Sequence, residues 1–200
     1  MKRSDSRHTL TLALIGIVYG LIVILTHRDY GINLDEPLHV IYGKSVVDWY
    51  LSGFTDRDVF WYTNLWLYGG LYDTISHLLT GLIPYDIYHT RHLLNAATGF
   101  TGVTGVYYLA RHIGPSPRAG LIAAAMLLLI PRYYGHAMFN HKDIPFAAGY
   151  VWSVYLILKS MDAFPNVHWK TALLTGTVIG ATVGIRIAGA ILVLYYVVAF

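Results

Sequence analysis

The chain has 200 residues, 56% of them hydrophobic, a net charge of +3, a mean hydropathy of +0.49 and no cysteine. Apolar blocks of membrane-crossing length recur with short polar interruptions, which excludes a soluble one- or two-domain protein. The lack of cysteine excludes a disulfide framework, a thiolate metal site and a cysteine nucleophile. The basic balance would suggest nucleic acid in a soluble protein, but here the bases follow membrane topology, and no nucleic-acid partner is expected.

The fold class that follows is all-α: a polytopic membrane helical bundle of about five to six spans with amphipathic interfacial helices in a long first outer loop. The first apolar block, residues 10–26, follows the basic tail "MKRSDSRH" and precedes "THRDYG", which offers no small-residue cleavage site. It reads as a retained anchor rather than a signal peptide. The next segment, 27–87, carries eight of the eleven acids (Asp29, Asp35, Glu36, Asp48, Asp56, Asp58, Asp73 and Asp86) against Arg28, Lys44 and Arg57. Lysine and arginine stay on the cytoplasmic side, so the tail and the connector "ARHIGPSPRAG" belong inside and the acidic loop outside.

Within that loop a short helix is expected over 37–52, ended by Gly53. From Trp61 to Ile83 apolar residues recur at helical spacing with polar residues between them, which permits either a span or a helix lying flat. The flat arrangement is favoured, because a span would move Arg111 and Arg118 outside.

Spans are then expected over 88–111 going inward, 118–134 going outward with Pro131 breaking its end, and 144–159 going inward. "KSMDAFPNVHWK" is a cytoplasmic loop. The stretch 171–200 is about thirty residues where roughly twenty cross, so it reads as two helices meeting near Arg186 at the outer face. The chain stops in mid-helix, as the N-terminal part of a longer protein would. Gly99, Gly102 and Gly105 place small residues along one span, a signal for close helix packing.

Two outer turns share a pattern. "LDEPLH" and "KDIPFA" each put an aspartate two residues before a proline at a helix start, which suits an aspartate N-cap with proline in the first turn. Capping alone accounts for either aspartate taken by itself. The chemical reading rests on their neighbours: Asn33, Glu36 and His39 around Asp35, and Arg132, His136, Asn140, His141 and Lys142 around Asp143. Carboxylates and phosphate-binding cations at one interface suit an anionic lipid donor. A carboxylate takes the proton of an attacking hydroxyl while cations stabilise a departing phosphate. His136 and His141 lack zinc-helix spacing, Asp73 and His77 lack a third ligand, and no metal site is expected. Where two acids meet a phosphate, spacing leaves room for divalent-metal assistance, though no cofactor is required.

"LDEPLH" after a first span, "TRHLLNAATGFTGVTGVYYLAR", "PRYYGHAMFNHKDIP" and "GATVGIRIAGAILVLYY" together resemble the N-terminal part of GT-C membrane glycosyltransferases. The closest branch holds the protein O-mannosyltransferases and lipid A aminoarabinose transferases. The resemblance implies an enzyme that moves a sugar, with inversion, from a polyprenyl-phosphate-linked donor to a lipid, glycan or protein acceptor outside the cytoplasm. By the same resemblance Asp35 is the base, Glu36 orients it or binds acceptor, Asp143 is the second acidic position, and Arg91 and Arg186 meet the donor phosphate. His136, His141 and Lys142 complete the expected substrate-binding set. The implied location is a bacterial or archaeal plasma membrane, with the N-terminus cytoplasmic. Where the aminoarabinose branch carries an "EKPP"-like stretch this chain has "YGGLYDTIS". From other classes, a transporter whose outer acids bind a cation, or a noncatalytic assembly subunit, stays open, although acids in outer loops rather than at the bilayer midplane favour the enzyme.

Overall fold

A computed structural model of the chain describes residues 2–114 and 116–200, with side chains from Arg7 onward. The side chains of Lys2, Arg3 and Asp5, on which the cytoplasmic-tail reading partly rests, lie outside the described residues, as does Pro115 of the connector. Among the described residues every regular element is helical. The helices are α1 (Lys2–Thr26), α2 (Glu36–Leu51), α3 (Leu71–Leu82), α4 (Ile87–Ile113), α5 (Pro117–Leu129), α6 (Pro131–Phe139), α7 (Asp143–Asp162), α8 (Trp169–Ile185) and α9 (Ile191–Ala199). Short 3-10 turns lie at Asp58–Phe60, Asn64–Leu67 and Ile187–Ala190.

The bundle is organised around α4, which packs against α1, α3, α5, α6 and α7. At 27 residues it is about 40 Å long, enough to cross a bilayer. Its sequence is less apolar than a lipid-facing helix needs, and the packing supplies the reason. Thr90, Arg91, His92 and Asn95 are buried in its first turns, so its polar groups face protein rather than hydrocarbon.

The three glycines further along do what their size suggests. Gly99 lies against Ala137, Gly102 against Tyr133 and Ala148, and Gly105 against Val151 and Trp152. The Tyr133 hydroxyl donates to the Gly99 carbonyl at 2.8 Å, and the Trp152 indole N–H donates to that of Thr101 at 2.9 Å. Around them Leu12, Val103, Tyr107 and Ala124 form one apolar cluster, and Tyr19, Val23, Ala96 and Met138 another.

By length and apolar character α1 (from Arg7) and α7 are each able to cross a membrane, and α5 with α6 would make a third span bent by 68°. Pro131 sits at the start of α6, where its missing N–H does no harm, and the bend falls immediately before it. The break expected near Arg186 is present as well: α8 ends at Ile185 and Arg186 is extended (φ −153°, ψ 125°). At the opposite end of the bundle His112 of α4 meets Asp162 of α7 at 3.2 Å.

Two expectations change. The stretch from Trp61 is not one helix: residues 58–67 form the two 3-10 turns, and α3 begins only at Leu71, after Gly69 and Gly70. Its 12 residues reach about 18 Å, too short to cross hydrocarbon. Nor do the aspartates cap. Asp35 precedes α2 but makes no side-chain capping bond, and α7 has Lys142 at its N-cap position with Asp143 already in its first turn. Asn140 takes the capping role there, its Oδ1 accepting from the backbone N–H of Asp143 at 2.8 Å.

α2 lies directly on α3, where Gly43 faces the Asp73 backbone so closely that an added Cβ would overlap the Asp73 carbonyl oxygen. Gly43→Ala should therefore separate the two helices and cost about 1–3 kcal/mol. A thermal unfolding midpoint in detergent at or above the parent value would contradict this packing.

Candidate functional site

One end of the bundle encloses a buried polar cluster. Glu36, the first residue of α2, is 1% exposed. Its Oε2 accepts from the Asn33 backbone N–H at 2.7 Å and its Oε1 from His92 Nε2–H at 2.9 Å. His92 Nδ1 faces the His27 carbonyl at 3.3 Å, so α1, α2 and α4 meet through one imidazole. Both ring nitrogens of His92 thus face oxygen acceptors, which only the doubly protonated ring satisfies completely. Beside this pair Asp73 of α3 accepts from Arg91 Nη2–H at 2.8 Å on one oxygen and from His39 Nδ1–H at 2.8 Å on the other. Arg91 is fully enclosed. Two carboxylates thus meet one guanidinium and two imidazoles inside the bundle.

The loop between α6 and α7 closes over this cluster with His141, whose Nδ1 lies 3.7 Å from Glu36 Oε1. Among the described residues neither of its nitrogens has a hydrogen-bond partner, and the Nε and Nη1 of Arg91 and the Oδ1 of Asn95 likewise find none. Burial above all, reinforced by the charge of Arg91, holds the His141 imidazole well below its ordinary pKa, with His39 and His92 acting in the same direction. A cavity of about 10 Å³ lies between His39, Asp73, His141 and Lys142, close to the space one water requires. Asn95 secures the same loop by donating to the carbonyls of His136 and Ala137 at the end of α6, at 3.1 and 3.0 Å.

Above the cluster is an open rim. Asp35 is exposed on the turn that Glu36 anchors. On the facing loop Asp143 is exposed and paired with Arg186 Nη1, and its other oxygen accepts from Asn140 Nδ2 at 3.1 Å. Asn140 Nδ2 also lies 2.8 Å from His136 Nδ1. Lys142 Nζ and Arg186 Cζ stand 4.8 and 5.8 Å from the centre of the Tyr68 ring. Next to these cations an apolar groove of about 680 Å³ opens between the aromatic residues Tyr42, Trp49, Phe60 and Trp66 and the small residues Gly180, Ala181 and Gly184 of α8.

The structure thus divides the residues read from the sequence. Asp35 and Asp143 are exposed and Lys142, Arg186 and His136 half-buried, with Asp143 paired to Arg186; Glu36, Arg91 and His141 lie in the enclosed cluster. Arg91 was expected at an accessible helix end near a phosphate, but it is spent on Asp73 below the rim. Sequence reasoning placed His39 beside Asp35 and weighed Asp73 only as a metal ligand; it missed their pairing, and it missed His92 and Tyr68. One signal for His92 was present: Arg91, His92 and Asn95 fall on one face of a helix that must cross hydrocarbon, and such polar groups call for internal partners.

Removing the Asp73 carboxylate leaves Arg91 buried without its counter-ion, so Asp73→Ala should destabilise the bundle by about 3–5 kcal/mol. Unfolding in detergent measures this. His141 adds a pH dependence. Below its ordinary value of about 6.5 the unfolded chain takes a proton that the folded chain refuses, so stability should be full above that pH and decline as pH falls through it. His141→Gln should flatten this decline between about pH 5 and 7; an equally steep profile would assign the effect to another group.

No curated protein and no solved structure matches the chain. A family model, dolichyl-phosphate-mannose-protein mannosyltransferase, matches residues 59–200. That span holds Tyr68, Asp73, Arg91, the α6–α7 loop and Arg186, while Asp35 and Glu36 precede it. The chain belongs to the dolichyl-phosphate-mannose-protein mannosyltransferase family and is an integral membrane glycosyltransferase of the GT-C type.

Proposed function

We propose that the protein moves a sugar from a polyprenyl-phosphate-linked donor to a hydroxyl of a lipid, glycan or protein acceptor at the extracytoplasmic face of a plasma membrane. Asp35 acts as the general base. The acceptor oxygen attacks the anomeric carbon from the side opposite the phosphate. The bond from that carbon to the phosphate oxygen breaks, the hydroxyl proton passes to the Asp35 carboxylate, and the carrier phosphate leaves with both bonding electrons, inverting the anomeric centre. Lys142 and Arg186 take up the charge of the leaving phosphate, and Asp143 orients Arg186, so the step is complete without a metal. The groove beginning at Gly69 and Gly184 suits the first units of an apolar carrier chain.

The observation that carries this reading is that Asp35 is exposed and uncommitted to capping on a turn whose very next residue is locked into the bundle. A base needs a free lone pair and a fixed position, and this turn supplies both. The contact between Glu36 and His141 brings the two aspartate-bearing turns to a common meeting place. The orientation is supported by the same gathering, since the end of α1, the starts of α4 and α7, and Arg186 share one end of the bundle, opposite the tail and the basic connector.

Asp35→Asn should lower transfer by about 10²–10⁴-fold. In cells carrying the parent protein, the variant or neither, mass spectrometry of envelope lipids and glycans should show one carrier-linked sugar accumulating equally in the last two. Unchanged sugar-bearing molecules in all three would overturn the assignment.

A further inference from the structure

Tyr68 stands where three segments meet that are far apart in the chain. Its ring is within cation–π range of both Lys142, at 4.8 Å, and Arg186, at 5.8 Å. Left to themselves these two cations would repel and each would range over many rotamers. Here the Tyr68 ring faces both, while Arg186 also lies 5.8 Å from the centre of the Phe146 ring and is bound by Asp143. The backbone fixes the arrangement. The Ile187 N–H, directly after Arg186, donates to the Tyr68 carbonyl at 2.9 Å. Gly69 follows with φ +147°, a conformation that favours glycine, and packs so closely on α8 that an added Cβ would overlap the Gly184 carbonyl oxygen.

We propose that Tyr68 is a positioning residue that aligns the Lys142 ammonium and the Arg186 guanidinium to receive one phosphate of the lipid-linked donor, with Gly69 setting its distance from α8. The inference rests on the phosphate role given to those two cations above. Because the ring itself does not touch the reacting carbon, it acts on how well the donor is held: two cations already ordered lose less freedom when the phosphate arrives. The backbone ties at Tyr68 and Gly69 persist when the side chain alone is changed, and leucine still covers the Tyr42, Val46, Val59 and Leu65 cluster against which the ring packs, so unfolding is read beside binding.

The test uses the whole chain in lipid nanodiscs, with polyprenyl phosphate as probe and the uncharged polyprenol as control, binding being read by native mass spectrometry and stability by thermal unfolding. Tyr68→Leu should weaken polyprenyl phosphate about tenfold, the scale of a partly desolvated cation–π contact, and leave polyprenol binding and unfolding at parent values. Tyr68→Phe keeps the ring and should restore binding to near the parent value, while Gly69→Ala should reproduce the weakening. Parent-like phosphate binding by Tyr68→Leu, together with weakened binding by Arg186→Gln, would overturn the role of Tyr68 and leave the phosphate site standing. Equal losses for phosphate and polyprenol, or a matching fall in unfolding temperature, would make Tyr68 structural and overturn the proposal. Parent-like binding by both Lys142→Gln and Arg186→Gln would remove the phosphate site itself, whatever Tyr68→Leu does.

Discussion

Asp73 holds one end of this bundle together. One of its oxygens receives Arg91 of α4 and the other His39 of α2, so a single buried carboxylate joins three helices. A charge enclosed by protein tolerates few alternative arrangements, because every displaced partner leaves a second charge uncompensated. Glu36 and His92 repeat the device beside it and add the end of α1. The segment between α1 and α4 is thereby fixed to the helix at the centre of the bundle.

The rim chemistry depends on that foundation. Reactive geometry must be held to within about half an ångström, and loops are poor at this unless something rigid lies beneath them. Here the anchors are immediate sequence neighbours of the rim groups: Glu36 beside Asp35, His141 beside Lys142, and Ile187 beside Arg186. Each exposed group therefore inherits its position from a constrained residue one place away in the chain.

Much of this was legible in the sequence. The acidic loop, the order of the helices, the interruption at Arg186 and the glycine stripe on α4 all follow from charge, length and side-chain size, which are local quantities. The cluster was less legible because its pairs are remote: Asp73 finds His39 at a separation of 34 residues and Arg91 at 18. In sequence Asp73 looks like one polar position among several between Trp61 and Ile83, and Arg91 like an interfacial anchor. The aspartate caps were misread for a related reason, since Asn140 offered the same local bond three residues earlier and left Asp143 for Arg186. Periodicity likewise extended α3 too far, because residues with apolar spacing before Gly69 are held in 3-10 turns by the packing of Tyr42, Val46, Val59 and Leu65.

Successive residues at the start of α2 point about 100° apart, so Asp35 and Glu36 face solvent and interior from adjoining codons. The side chain of the first makes no capping bond, while that of the second ties the turn to Asn33 and His92. Because one nucleotide separates an aspartate codon from an asparagine codon, loss of the base proposed at Asp35 lies a single mutational step away, with the anchor of the turn at Glu36 untouched.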